Sequence, residues 1–218
     1  MTYTGNVTVG GPAAVHELRD LVISKLAVGP YDNNAYLLRC TRTGRQVLLD
    51  AAADGDRLLE LVGEDGLDAV VTTHGHRDHW QATAEVLEAT GAEHLAHADD
   101  AGDIEVPVTR TLSEGDDVAV GDARLRVVHL RGHTPGSVAL VYDDPTGAPH
   151  VFTGDSLFPG GVGNTWGDAD RFASLYADVT TKLFDALPDE TWVYPGHGKD
   201  TTLGAERPHL QEWLDRGW

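Results

Sequence analysis

Short apolar runs separated by turn residues dominate the first half of the chain and predict extended strands. These runs are rich in Val, Leu and Tyr, and turns containing Gly or Asn lie between them. The predicted strands are residues 21–28, 34–40, 46–50 and 69–72. Two further stretches carry apolar residues or good helix formers at helical spacing, and the second stops at a glycine. They predict helices over residues 54–62 and 79–90.

The second half of the chain repeats this order of strands and one long helix. Its predicted strands are residues 117–120, 124–130, 137–142, 150–153 and 191–194, and its predicted helix is 170–187. Glycine-rich turns rather than a polar linker join the two halves. The pattern therefore predicts two sheets packed face to face with helices outside them, in one α+β domain spanning residues 1–218.

Metal-binding side chains are concentrated in the stretch THGHRDHW, residues 73–80, directly after a predicted strand. It contains His74, His76, Asp78 and His79. Imidazole and carboxylate groups bind divalent metals well, whereas crowding them together unpaired and away from water is costly. The stretch therefore predicts a metal site, and a solvated histidine-rich loop is the alternative.

Three later stretches each end a predicted strand and place a metal-competent residue beside glycine. They are RGHTPGS with His133, FTGDSLF with Asp155, and YPGHG with His197. Glycine lets the backbone turn sharply, so the neighbouring side chain can point off the edge of the sheet. Each stretch by itself is weak support, because a single histidine after a strand is more often solvated or packed in the core.

Together the four stretches supply seven candidate ligands: His74, His76, Asp78, His79, His133, Asp155 and His197. Seven are too many for one tetrahedral zinc ion, and they suit two cations that share a carboxylate. The order HxHxDH, GHTPGS, GD and GHG resembles the metallo-β-lactamase fold hydrolases, and within them the glyoxalase II-like branch. The resemblance covers residues 21–197 and leaves residues 198–218 as a short C-terminal tail.

The resemblance implies a four-layer αββα sandwich with the site at one edge, between the sheets. The first metal would be held by His74, His76 and His133. The second metal would be held by Asp78, His79 and His197, with Asp155 bridging the two. Asp50, in the segment VLLD, would orient the first ligand loop from behind rather than bind a metal. The other histidines match no ligand position, and His129 is the one expected nearest to the site.

Two such cations, zinc by expectation and iron or manganese as alternatives, would lower the pKa of a shared water so that hydroxide can attack a carbonyl. The resemblance thus implies a binuclear metallohydrolase acting on a 2-hydroxyacyl thioester. Asp78 is the candidate catalytic residue, and Asp78, Tyr194 or a metal-bound water are the candidate proton donors. Asn164 and Arg207 are candidate substrate-binding residues, and Trp80 and Trp166 are candidates for the mouth of the cleft.

Other functions remain open at this point. Lactonases have nearly the same metal motif, and persulfide dioxygenases use a single iron in a similar fold, although their GRT segment reads GNT here at residues 163–165. Asp155 argues against β-lactamases with cysteine at that place, and His76 argues against diiron oxygen reductases with glutamate. A metal-binding protein without catalysis is the alternative from another class, but structural zinc sites are closed and use four ligands.

Composition narrows the expected partners. The 218 residues include 35 acidic and 16 basic side chains, for a net charge of −19, which repels nucleic acid and anionic membranes. Cys40 is the single cysteine, so no internal disulfide forms. Neither a signal-like N-terminus nor a run long enough to span a membrane is present. We therefore expect a cytoplasmic protein with a small-molecule substrate, and the sequence indicates no particular oligomeric state.

Overall fold

The computed structural model describes residues 3–217, and within that range the chain forms two large β-sheets. The strands of the first sheet lie side by side in chain order: β1 (Ala14–Glu17), β2 (Leu21–Val28), β3 (Asn33–Cys40), β4 (Gln46–Leu49), β5 (Ala69–Val71), β6 (Glu93–His97) and β7 (Arg110–Leu112). Neighbours from β1 to β4 are antiparallel, and neighbours from β4 to β7 are parallel. The four strands predicted for this half are present, whereas β1, β6 and β7 were not predicted.

The second sheet contains all the strands predicted for the second half. Its strands are β8 (Asp117–Val120), β9 (Ala123–His129), β10 (Val138–Tyr142), β11 (His150–Gly154), β14 (Trp192–Pro195) and β15 (Thr201–Thr202). They lie in the order β15-β14-β11-β10-β9-β8, while β12 (Leu157–Phe158) and β13 (Gly161–Val162) form a separate hairpin. Within this second sheet, as far as the structure describes it, only the β11–β14 pair is parallel.

The helices are α1 (Gly55–Val62), α2 (Thr83–Thr90), α3 (Ala169–Val179), α4 (Leu203–Glu206) and α5 (Leu210–Arg216). The predicted helix 170–187 is α-helical only to Val179 and continues as a π-helical turn, Thr180–Phe184. The prediction of a helix from residue 79 is wrong at its start, since Arg77–His79 is a 3₁₀ turn. The Trp80 indole donates a hydrogen bond to the carbonyl of Gly75, 3.0 Å away. This contact holds Trp80 against the ligand loop, and helix α2 begins only at Thr83.

Three apolar layers hold the sandwich together. Side chains such as Ile23 and Val127, both fully buried, pack between the two sheets. Leu58 of α1 packs on the outer face of the first sheet, and Leu175 of α3 packs on the outer face of the second. This confirms the four-layer αββα sandwich in a single domain. The packing also extends past residue 197, because Trp213 of α5 is only 1% exposed within the outer layer.

The direction of the strands brings the predicted ligands together. Strands β4 and β5 are parallel, and β9, β11 and β14 share one direction in the second sheet because β10 runs opposite to β9 and β11. The loops that follow these five strands carry Asp50, the stretch 73–80, His133, Asp155 and His197. All of them lie at one edge of the sandwich. Among residues 3–217, no helix combines the length and apolar character needed to cross a membrane.

Candidate metal centre

Seven side chains predicted as metal ligands meet at this edge in three overlapping groups. In each group, one potential ligand atom from every member lies within 4.8 Å of the others. The groups are His74, His76 and His133; Asp78, His79 and His197; and His74, His79 and Asp155. The first two groups coincide with the two ligand sets implied by the sequence, and the third connects them.

Asp155 lies between the two ligand sets. Its Oδ2 is 3.7 Å from Nε2 of His133 and 3.3 Å from Nε2 of His197, and its Oδ1 is 3.4 Å from Nε2 of His79. A Cβ atom on Gly196 would collide with Asp155 Oδ1 and with the His79 ring, so the GHG turn needs glycine at this point. The carboxylate therefore faces both sets at once, as a bridging ligand must.

Hydrogen bonds determine which ring nitrogen the histidines turn toward the centre. His133 and His197 each place Nδ1 2.9 Å from a backbone carbonyl oxygen, and His79 places Nδ1 2.8 Å from Asp50 Oδ2. Carbonyl and carboxylate oxygens can only accept, so these Nδ1 atoms carry the proton. The Nε2 atoms of His79, His133 and His197 are thereby oriented toward the centre, the arrangement typical of metal-bound histidine.

The protein itself does not satisfy all the polar atoms of the centre. Within the described residues, the buried atoms His133 Nε2 and Asp155 Oδ1 have no hydrogen-bond partner. The Nε2 atoms of His79 and His197 approach each other to 3.2 Å. A buried polar atom without a partner costs roughly 1–3 kcal/mol, and divalent cations would satisfy several such atoms together. The residues present therefore fit the two metals that the sequence implies.

Burial and opposite charge shift the pKa values of these groups in different directions. Burial lowers the pKa of His133 to about 4. Burial also lowers the pKa of His197, but hydrogen bonds with Asp155 and Asp78 outweigh it and raise that pKa to about 10. The hydrogen bond with His197 holds the pKa of Asp78 well below its usual range. Asp78 is therefore a carboxylate at neutral pH, which suits a metal ligand better than a proton donor.

Asp50 lies behind the ligands, where the sequence places it. Its Oδ1 accepts a hydrogen bond from the Thr73 backbone N–H at 2.8 Å, and its Oδ2 accepts from Thr73 Oγ1 and from His79 Nδ1, each also at 2.8 Å. Asp50 itself has a φ of 54°, a left-handed conformation that residues other than glycine seldom adopt. These contacts connect Asp50 to the start of the ligand loop and to one ligand ring.

Two supporting residues were missed in the sequence. Asn33 Nδ2 donates hydrogen bonds to the backbone oxygen and Oδ2 of Asp78, at 2.9 and 3.0 Å. Fully buried Asp100 accepts hydrogen bonds from Gly75 N at 2.7 Å and Thr134 Oγ1 at 2.5 Å, and so joins two ligand loops. A polar residue at the start of β3 was a usable signal for Asn33. Asp100 follows β6, which the pattern did not predict, so only the structure reveals it.

The mouth of the centre is formed by Trp166, whose side chain is 57% exposed. Its ring stacks on His133 with centroids 5.4 Å apart and meets His76 edge-on at 5.3 Å, and the guanidinium of Arg171 lies 4.8 Å from its centroid. A cavity of about 710 Å³ opens beside His76. Trp80 does not line the mouth, because it is buried beneath the ligand loop.

Three further predicted residues have different surroundings. Asn164 lies at the centre, where its backbone oxygen accepts from His133 Nδ1 at 2.9 Å. Arg207 does not reach the centre, since its guanidinium donates to Asp189 Oδ1 and to the backbone oxygen of Phe184 in the outer helix layer. Tyr194 is buried between the sheets. The contacts of Arg207 therefore do not support the prediction that it binds substrate.

Comparison with known proteins establishes the family. Residues 28–197 match the model of the Metallo-beta-lactamase superfamily. This chain belongs to that superfamily.

Individual relatives add detail to this assignment. A hydroxyacylglutathione hydrolase from Polaromonas sp. is 35% identical over 181 residues, which are 81% of this chain and 66% of the relative. The chain thus spans less than two thirds of that relative's length. The crystal structure of the BLEG-1 B3 metallo-beta-lactamase matches with a TM-score of 0.77 and 26% identity, over 88% of this chain and 99% of the other. A di-iron-bound form of TTHA1623 matches with a TM-score of 0.68 and 35% identity, over 84% of this chain and 96% of the other.

Proposed function

We propose that this protein is a binuclear metallohydrolase that cleaves the thioester bond of a small 2-hydroxyacyl thioester. The observation that carries the proposal is the meeting of two His/Asp ligand sets at the single carboxylate of Asp155. The similarity to a hydroxyacylglutathione hydrolase supports the choice of substrate class.

The chain's own residues would divide the chemistry among them. His74, His76 and His133 would hold one cation, Asp78, His79 and His197 the other, and Asp155 would bind both. When bound, two divalent cations supply a nucleophilic hydroxide near neutral pH and polarise the carbonyl under attack. Asp50 would keep the ring of His79 in the required orientation through its hydrogen bond to Nδ1.

The protonation states favour a thioester over an amide substrate. Asp78 is ionised, and the Tyr194 hydroxyl lies 2.8 Å from Nδ1 of His16 and 3.0 Å from Nδ1 of His150 in the core. Neither residue is suited to donate a proton to a leaving group. A thiolate leaves without a strong general acid, so the absence of a donor among these candidates matters least for a thioester.

The surroundings of the centre suit a small molecule. The cavity of about 710 Å³, lined by His76, Arg77 and Arg171, is within the size range of ligand pockets. The exposed ring of Trp166 meets His76 edge-on and offers an apolar contact near the centre. Nitrogen and oxygen ligands of this kind accept zinc, iron or manganese. The sequence-based expectation of zinc and the di-iron form of TTHA1623 support different metals. The expected cytoplasmic location stays a prediction.

The test uses the metal-loaded protein with a panel of four substrates: a 2-hydroxyacyl glutathione thioester, an acyl homoserine lactone, a glutathione persulfide and a chromogenic cephalosporin. We expect two metals per chain and turnover of the thioester. Turnover of the lactone or the cephalosporin alone would replace the thioesterase assignment, and one iron with oxygen uptake would overturn the binuclear mechanism. The cephalosporin is included because BLEG-1 is a metallo-beta-lactamase.

A matched pair of variants connects the activity to this centre. Asp155→Asn should reduce kcat/KM about 10³-fold or more, because metal polarisation is worth several kcal/mol and each 1.4 kcal/mol is about tenfold. His209→Gln, which alters an exposed histidine in the tail, should leave activity and metal content unchanged. Equal activity of Asp155→Asn and the unmodified protein would place the reaction elsewhere.

A further inference from the structure

A fourth group of metal-competent side chains lies outside the candidate centre. It consists of His97 at the end of β6, Asp99 in the loop that follows, and His129 at the end of β9. One potential ligand atom from each lies within 4.8 Å of the others, and His97 Nδ1 is 3.6 Å from Asp99 Oδ2. None of the three belongs to the seven ligands of the candidate centre.

The protonation of both imidazoles follows from their neighbours. His129 Nε2 lies 2.8 Å from the backbone oxygen of Pro135, which can only accept, so Nε2 carries a proton and Nδ1 is left with a lone pair. The Asp99 backbone N–H donates to Nδ1 of His97 at 3.2 Å, so the lone pair of this nitrogen accepts a long hydrogen bond that a bound cation would replace. His129, which donates its other N–H to a carbonyl, has the arrangement usual for a ligating histidine.

The position and charge of His97 agree with this arrangement. The ring is 8% exposed and stacks on the ring of His129, with centroids 4.0 Å apart and planes at 26°. Burial, together with the neighbouring His129, lowers the pKa of His97. His97 is therefore neutral near pH 7, as a metal ligand must be. Asp99 is exposed and supplies negative charge at the open side.

We propose that His97, Asp99 and His129 bind a third divalent cation, of the borderline first-row class that includes zinc and nickel. The cation would join the end of β6 in the first sheet to the end of β9 in the second. Asp99 is followed in sequence by Asp100, which holds the ligand loops through Gly75 and Thr134. A cation bound by Asp99 would therefore stabilise the position of Asp100 without being bound by any ligand of the candidate centre.

The test counts bound metal by elemental analysis after equilibrium dialysis of the full chain against low-micromolar free zinc. The unmodified protein should retain one equivalent more than His129→Phe, because phenylalanine preserves the stack on His97 but cannot ligate. His209→Gln removes a histidine outside the group and should retain as many equivalents as the unmodified protein. Equal metal content in His129→Phe and the unmodified protein would overturn the proposal.

A second variant guards against a general loss of structure. Asp99 is exposed, so Asp99→Ala should fold normally, and it should also lose the extra equivalent. Retention of that equivalent by Asp99→Ala would likewise contradict the three-residue site. Because the result is a difference between variants, it does not depend on how many ions the candidate centre holds. Failure of the proposed hydrolase activity would leave it unaffected.

Discussion

The chain buries two polar clusters that differ in how their atoms are satisfied. At the candidate centre, His133 Nε2 and Asp155 Oδ1 are buried without a protein partner among the described residues. In the second cluster, fully buried Lys25 donates to Asp200 Oδ1 at 2.6 Å and to two backbone oxygens at 2.7 and 3.0 Å. The other oxygen of Asp200 accepts hydrogen bonds from a tyrosine and a tryptophan at 2.8 and 3.0 Å.

This difference separates a ligand-binding site, the candidate centre, from a structural cluster, the one around Lys25 and Asp200. An ammonium group has three donors, and all three of those on Lys25 have acceptors, so nothing is left for a ligand. At the centre, several acceptors converge with too few donors between them, which is costly unless a cation binds. The burial of polar groups alone therefore does not indicate a functional site. Several buried acceptors that face one another without hydrogen-bond partners do indicate one.

Removing Lys25 gives the largest expected effect on stability. Lys25→Met leaves Asp200 buried without its partner, and such changes typically cost about 3–5 kcal/mol. Denaturant unfolding should show this loss, and the folded protein should still bind metal at the centre. Lys199→Met, at an exposed lysine, should change the free energy of unfolding very little. A Lys25→Met protein that is stable but has lost its metal would contradict the distinction between the structural Lys25–Asp200 cluster and the candidate metal centre.

A smaller effect is expected from changing Asp50, the carboxylate that orients His79 and the start of the ligand loop. Both oxygens of this carboxylate face donors, so Asp50→Asn would point an NH₂ group at Thr73 or at His79 Nδ1. Losing such a support typically costs 10–100-fold in metal affinity or activity. Competition with a chelator and kcat/KM should both report it.

Asp54→Asn is the matched control for Asp50→Asn, because Asp54 has nearly the same φ, 53°, but lies outside the centre. It should leave metal affinity and kcat/KM unchanged. An equal loss in both variants would attribute the effect to the strained backbone rather than to the orientation of His79.

Metal chemistry made the centre more predictable than the fold around it. Few residue types bind divalent metals, so the four stretches together, with the family resemblance of their order, indicated the ligands, although His133 or His197 alone was weak support. The two-sheet architecture followed from apolar runs that are buried on both sides. Both features depend on short stretches of sequence rather than on distant contacts.

Features that depend on distant contacts could not be predicted in this way. Strand β6, with the sequence EHLAH, interrupts its apolar positions with two histidines, and it is held by parallel pairing with β5 and β7. Missing it concealed Asp100 and the pairing of His97 with His129. Arg207 looked free for substrate in the sequence, but its partners Asp189 and Phe184 are 18 and 23 positions away.

The smallest expected effect concerns a histidine that, unlike the predicted ligands, lies in the core. Burial lowers the pKa of His150 to about 4, below the value near 6.5 of the unfolded chain. The folded state therefore excludes a proton that the unfolded state binds, so stability is complete above about pH 6.5 and falls as the pH drops toward 4. His150→Gln should remove this penalty, which amounts to about 1–3 kcal/mol by pH 4. Unfolding curves at pH 8 and pH 4.5 should show a smaller acid-induced loss for His150→Gln than for the unmodified protein, while His209→Gln should show the full loss. Equal acid-induced losses of stability in all three proteins would mean that His150 accepts a proton in the folded state. His150 would then resemble the unsatisfied groups of the candidate centre rather than the satisfied Lys25–Asp200 cluster.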